Sequence, residues 1–254
     1  MEGSDSLILE AVFPTRCVGC GADGSWCCTS CLEAIEAVTS DPCAACGSVK
    51  RKHACRGGLP SAPTRSIVGA HGDAPAPESS LTGLVAVGFY HDPRLRALIH
   101  GLKYELGTCL LPTFGALLKR SAFRRRNPWS WAGEVELGIQ HVPATPHRVR
   151  ERGFDQAELL KNVVKETIVP WATDVASLDR SPTTKVQADL PPGPLREANV
   201  MKSFRRTTGD RSMPKAVILV DDVFTTGATM RAAAHALRSN GVERVYGFVF
   251  ALGA

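Results

Sequence analysis

The sequence predicts an α/β fold built on a mostly parallel sheet and preceded by a small cysteine-rich module. Val217-Ile218-Leu219-Val220 is unbroken and mostly β-branched, the pattern of a strand covered on both faces, as in parallel sheets. Apolar strand-length runs alternate with helical patterns from Leu84 to Leu252, which is the signature of an α/β domain. Eight of the nine cysteines fall within residues 17–55, so their chemistry belongs to one short segment.

Length and charge bound the rest. A chain of 254 residues suits one larger domain plus a small module. No apolar run approaches the ~20 residues that cross a bilayer, so no membrane insertion is expected. The start, Met1-Glu2-Gly3-Ser4-Asp5, is acidic and its apolar run ends at Phe13; this argues against a signal peptide and for a cytoplasmic location. Residues 1–56 carry seven acids and five bases, so in a chain of net charge +5 the remainder is strongly basic. A basic domain suits a phosphorylated small molecule or nucleic acid, although a mild basic excess on a soluble surface has the same composition.

In the cysteine-rich segment, Cys17-Val18-Gly19-Cys20-Gly21 reads as a knuckle whose glycines free the backbone to point at sulfur. Cys28-Thr29-Ser30-Cys31 opens a helical stretch, Leu32 to Val38. Two Cys-x-x-Cys pairs supply the four thiolates of a tetrahedral Zn²⁺ site; a disulfide framework is the alternative for an oxidising compartment. A second knuckle, Cys43-Ala44-Ala45-Cys46-Gly47, has Cys55 as third ligand, with His53 or Cys27 as a fourth, and a metal-free turn is the competing account. Arg56 to Gly83 is rich in Pro, Gly, Ser and Ala and reads as a linker. The expected boundaries are a zinc-binding, double zinc ribbon-like module at 10–56, a linker at 57–83 and a main domain at 84–254 that folds without the module.

The main domain opens with a strand, Leu84 to Tyr90. Pro93 starts a helix with Leu95, Leu98, Ile99 and Leu102 at helical spacing. A second helix is expected from about Thr108 to Ala122, with Cys109 as a core thiol. Arg124-Arg125-Arg126 follows, near Trp129 and Trp131, as either a solvated connector or a nucleic-acid contact. The next core strand is Val135 to Pro143. After it, Arg148, Arg150 and Arg152 lie in a loop leading into the helix that begins at Ala157. Arginines at the carboxyl end of a strand suit an anion, and pairing with Glu151 and Asp155 is the bland alternative. Val175 to Arg206 is long and irregular, in keeping with a functional lid or a disordered loop. Val242 to Leu252 is the last strand.

The densest chemistry follows Val220. Asp221-Asp222 ends the apolar run, and Thr225-Thr226-Gly227-Ala228-Thr229 leads into the helix Met230 to Arg238. Free amides at a helix start, with hydroxyls beside them, make a phosphate socket, and Gly227 lets the backbone approach the anion. The acids would repel a phosphate and so face hydroxyls or a metal beside it. A ribose 5-phosphate fits both halves. A nucleotide-hydrolysing site would need a Gly-x-x-x-x-Gly-Lys-Ser/Thr loop, and no Gly-Lys pair occurs in the chain.

Four apolar residues, two acids, Val223-Phe224 and Thr225-Thr226-Gly227-Ala228-Thr229 together resemble the phosphoribosyl pyrophosphate (PRPP) signature of type I phosphoribosyltransferases. With the Cys-x-x-Cys pairs, Leu95 to Tyr104, Arg148 to Glu158 and Arg196 to Val200, the chain resembles the ComF-type proteins, phosphoribosyltransferase-like proteins with an N-terminal zinc module. Asp155 stands where that family usually has Asn. The resemblance implies a type I phosphoribosyltransferase sheet, with Asp221 and Asp222 on the ribose hydroxyls and Thr225 to Thr229 around the 5-phosphate. Arg148, Arg150 and Arg152 fall to the pyrophosphate, and Asp221, Asp222 and Arg152 are the residues tied to catalysis. Mg²⁺ accompanies PRPP and Zn²⁺ is structural. Some family members are tied to DNA uptake in natural transformation, which makes single-stranded DNA the second partner to consider. A nucleic-acid-binding module and a PRPP sensor without turnover are the rival functions.

Overall fold

The computed structural model of the chain describes residues 15–50, 81–104, 107–120, 136–180, 204–206 and 213–253. His53, Cys55, the linker up to residue 80, Arg124–Arg126, residues 181–203 of the expected lid and the Arg196–Val200 block lie outside the described residues.

Five strands form one parallel sheet in the order β1-β7-β6-β2-β3: β1 (Gly83–Phe89), β2 (Leu137–His141), β3 (Thr173–Asp174), β6 (Ala216–Phe224) and β7 (Arg244–Leu252). A separate antiparallel pair joins β4 (Leu178–Arg180) to β5 (Phe204–Arg206). The expected α/β class with a mostly parallel sheet is therefore present. Val217 to Val220 are fully buried because both faces of β6 are covered. Ile218 and Val220 face one core with α2 (Pro93–Tyr104), α3 (Leu111–Lys119) and α5 (Gln156–Ile168). Val217 and Leu219 face the other, with α6 (Ala228–Arg238) and the β4–β5 pair. Each such side chain, fully buried, contributes roughly 1.5–3 kcal/mol.

The topology sets the place of the site. From β2 the chain crosses outward to β3, whereas from β6 it crosses the other way to β7. The loops that leave β2 and β6 diverge, and the crevice between them is the usual ligand position in an open α/β sheet.

Several features differ from expectation, beginning with the helical stretch expected from Leu32 to Val38, which ends at Glu33. β6 does not end at the acids but runs on to Phe224, because β7 offers pairing partners as far as Leu252. The basic segment after β2 is not a loop but the helix α4 (Pro146–Arg152). Thr145 caps its start by accepting from the Arg148 amide at 3.4 Å, and Gly153 at φ 82° ends it. Cys109 is exposed rather than a core thiol: it sits in a 3-10 turn, Gly107–Leu110, whose buried residue is Leu110.

The cysteine-rich segment is joined to the sheet. Helix α1 (Thr29–Glu33) is followed by Ile35 and Val38, both buried, one in each core. Ala37 bridges Gly88 on the outer edge of β1, and the Val38 amide donates to the Val87 carbonyl at 3.1 Å, so this segment covers an edge that would otherwise be open. Arg120 donates to the carbonyls of Ile35 at 2.9 Å and Glu33 at 3.2 Å, and Asp92 accepts from the Glu36 amide at 2.9 Å.

Candidate functional site

At the carboxyl end of β6 the pleat turns consecutive side chains to opposite faces. Asp222 therefore lies on the α2/α5 side and Asp221 on the side of α6 and the β4–β5 pair. Asp222 is 7% exposed. Its Oδ2 takes the Lys103 ammonium in an ion pair and accepts from Gln156 Nε2 at 2.6 Å, while Oδ1 accepts from the Val223 amide at 2.7 Å. Gln156 Oε1 in turn accepts from Arg152 Nη1 at 2.6 Å. The Arg152 guanidinium lies 5.2 Å from the centre of the Tyr104 ring, and its Nε is buried without a hydrogen-bond partner among the described residues. A chain of contacts, Lys103–Asp222–Gln156–Arg152, thus joins the ends of α2, β6, α5 and α4 and brings two cations to the crevice.

Of the expected site residues, Arg148 and Arg152 are four apart on α4 and share a face, whereas Arg150 lies roughly 200° round the helix from Arg148. The acids weighed as partners for these arginines are engaged elsewhere. Glu151 pairs with His147 at 3.9 Å. Asp155 caps α5 by accepting from the Ala157 amide at 3.0 Å and takes the Ala144 amide at 2.7 Å. It also lies 3.7 Å from His141 Nε2, whose imidazole burial holds below its ordinary pKa against the pull of Asp155. Lys103 and Gln156 carry no site reading in the sequence, although both fall inside the blocks that carry the family resemblance.

Asp221 is held differently. One of its oxygens accepts from the Asp222 amide at 2.9 Å. Burial and the adjacent Asp222 charge push its carboxyl well above the usual carboxylate range, with Lys103 opposing. The stability Asp221 contributes is fully present below its unfolded pKa of about 3.9 and is lost as pH rises through its raised native value. Asp221→Asn should therefore gain on wild type as pH rises from 4 to 8, by at most about 1.4 kcal/mol per pH unit. Urea denaturation across that range measures it, and parallel profiles would refute the assignment.

Beyond the acids, Thr225 and Thr226 are exposed and Gly227 precedes α6 at φ 72°. Gly227 is required by the fold itself, whatever ligand approaches it. A Cβ there would lie 2.2 Å from the Phe224 ring, and L side chains rarely adopt that φ. Gly227 offers no side-chain cap to the first turn of α6; the Ala228 amide donates to Thr226 Oγ1 at 3.4 Å, which leaves the later amides of that turn for an anion. Arg231 Nη1 donates to the Thr226 carbonyl at 2.8 Å and to the Ala45 carbonyl at 2.6 Å, which ties the loop to the second cysteine knuckle.

The first cysteine cluster is complete. The sulfurs of Cys17, Cys20, Cys28 and Cys31 all lie within 4.8 Å of one another. Gly19 is needed because a Cβ would meet the Cys31 sulfur at 2.7 Å. Burial raises the Cys17 thiol, but the amides of Cys28, Cys20 and Gly19 outweigh it and bring its pKa down to about 6. Burial pushes Cys31 and the neighbouring Cys27 up to about 12. Four such thiols ionise together only around a cation, and four sulfurs in two Cys-x-x-Cys pairs fit structural Zn²⁺. The Cys43–Gly47 turn repeats the backbone of the first knuckle. Gly21 and Gly47 share a φ of 76°, and each amide returns to the first cysteine of its turn, at 2.8 Å to Cys17 and 2.7 Å to Cys43. Cys27, weighed as a ligand there, lies instead beside Cys17. Among the described residues no second group of three or more ligands forms.

No protein-family model matches the chain. It is 30% identical over 165 residues to the DNA utilization protein YhgH of Salmonella typhimurium, covering 64% of this chain and 68% of that protein. The Escherichia coli K12 protein of the same name is 29% identical over 163 residues, with the same two shares. Competence protein F of Haemophilus influenzae is 28% identical over 170 residues, 66% of this chain and 72% of that protein. No helix among the described residues is long and apolar enough to cross a membrane.

Proposed function

The chain belongs to the ComF-type family, and from that premise we propose that it binds PRPP at the carboxyl end of β6 and transfers its phosphoribosyl group with release of pyrophosphate. The observation that carries this reading is a pair of acids on the central strand, followed by a helix that starts from Gly227 without a side-chain cap from that residue, at the point where the sheet's crossovers diverge. The 5-phosphate sits on the backbone of Thr225 to Thr229. The ribose hydroxyls donate to Asp221 and to the remaining lone pairs of Asp222. Lys103 and Arg152 face the pyrophosphate from the Asp222 side; Arg148 approaches on the same face of α4, and Arg150 takes no direct part. These cations stabilise charge as the leaving group departs, in a site already organised by Gln156. Among the described residues no third acid or histidine joins Asp221 and Asp222, which suits Mg²⁺ held mainly by substrate oxygens and water. Mg²⁺ held in that way would supply charge neutralisation at the pyrophosphate.

Calorimetric titration of PRPP with Mg²⁺ into wild type, Asp222→Asn and Thr226→Ala tests the site. A lost charge-assisted hydrogen bond, roughly 1.5–3 kcal/mol, weakens binding by one to two powers of ten. Equal binding by the folded variants would move the site elsewhere. Binding without pyrophosphate release from PRPP in the presence of any nucleobase tried would leave a PRPP sensor.

A second reading draws on the names of the relatives, a DNA utilization protein and a competence protein: the chain acts on or beside single-stranded DNA. Affinity for an oligonucleotide then falls steeply between 50 and 200 mM salt, as counterion release requires. Binding that ignores salt would remove this reading.

A further inference from the structure

Arg180 has no role in the reading above, and its surroundings are costly for a guanidinium. Leu178 and Arg180 lie on the same face of β4, the face that packs towards α6. The guanidinium lies 5.3 Å from the centre of the Phe204 ring, and Nη1 makes one long bond, 3.4 Å, to the Pro143 carbonyl at the exit of β2. Its Nε is buried and has no hydrogen-bond partner among the described residues. No described ion pair includes it. Burial lowers its pKa, the charge of Arg148 lowers it further, and Asp221 and Asp155 only partly oppose them. Asp155 is already committed to two backbone amides. An arginine does not shed its proton to relieve such a site, and an unpaired donor sealed from water carries its full desolvation penalty. A second cation nearby raises the cost. Both are relieved at once by an oxyanion, which a guanidinium fork binds in two-point fashion.

We propose that Arg180, on the Asp221 side of β6, forms with Arg148 an oxyanion subsite for a phosphoryl or carboxylate group of a ligand. The identity of that ligand rests on the PRPP reading. The oxyanion is either the pyrophosphate of PRPP or an acidic group on the acceptor, and in the second case the protein selects an anionic acceptor. Phe204, against which the guanidinium stacks, would pack beside that group.

The test titrates inorganic pyrophosphate, and benzoate in the presence of PRPP, into the full chain carrying Arg180→Gln or Arg148→Gln. Arg148 is exposed on α4, so its variant keeps the arm informative if the Arg180 variant does not fold. At least one oxyanion should bind both folded variants about tenfold more weakly. Loss with pyrophosphate and PRPP, but not with ribose 5-phosphate, assigns the leaving group. Loss confined to benzoate assigns an acidic acceptor. If both probes bind the variants as they bind wild type, or neither binds wild type, the subsite is overturned. The pyrophosphate arm does not depend on ribose binding: were the PRPP reading alone wrong, Asp222→Asn and Thr226→Ala would be silent while Arg180→Gln still acted.

Discussion

Replacing Cys28 and Cys31 with serine abolishes zinc binding and lowers the stability of the whole chain, not of the cysteine-rich segment alone. Cys28 precedes α1 and Cys31 lies within it, so a metal held by the four sulfurs would fix the helix that delivers Ile35 and Val38 to the two cores. Each of these side chains is worth roughly 1.5–3 kcal/mol when buried, and losing α1 also frees the outer edge of β1 and the carbonyls held by Arg120. A loss of several kcal/mol is a large part of the stability of a typical domain. A chain shortened to begin at residue 81 should suffer the same loss, which would make the main domain dependent on its module. Elemental analysis together with thermal denaturation, with and without a chelator, reads both effects. Zinc content unchanged by the double substitution would refute the ligand set, and an unchanged Tm would refute the structural coupling.

The Lys103–Asp222 pair should show the second large effect. Lys103 is 21% exposed at its side chain and Asp222 9%, so Lys103→Met leaves an unpaired carboxylate in a site largely closed to water. Breaking a buried pair from one side costs about 3–5 kcal/mol. Asp222→Asn in the same chain should recover much of that loss, because the amide needs no counter-charge and still accepts from Gln156. Denaturation of the two single variants and the double variant gives the coupling energy, and additive effects would mean that the pair is not held in solution. PRPP affinity should stay low in the double variant even as stability returns, which separates the two consequences of one contact.

The elements most legible in the sequence are those whose physics is local. The unbroken β-branched run predicts a strand buried on both faces, and Val217 to Val220 are fully buried at the centre of the sheet. Pro93 predicts the helix start to the residue. Two Cys-x-x-Cys pairs predict a four-sulfur cluster because each turn places its own two sulfurs. The short helix α4 is encoded as well, by Thr145, Pro146 and Gly153, signals that the three arginines between them mask.

Other features depended on the tertiary structure because they join residues far apart in the chain. That the acids face opposite sides follows from β6 extending through them, which its pairing with β7 decides. Lys103 reaches Asp222, and Gln156 links Asp222 to Arg152, only because α2 and α5 pack on one face of β6. Arg180, half-buried with its Nε sealed off and no described ion pair, depends on β4 and β5 closing over the other face. The module reads as separable in the sequence because its cysteines are self-contained. Ile35 and Val38 gain their value only when the sheet supplies the surfaces that bury them. Short-range patterns are set by backbone periodicity and turn chemistry, which a linear sequence records. The partner of a buried charge is set by strand order and crossover direction, and those exist only once the sheet has formed.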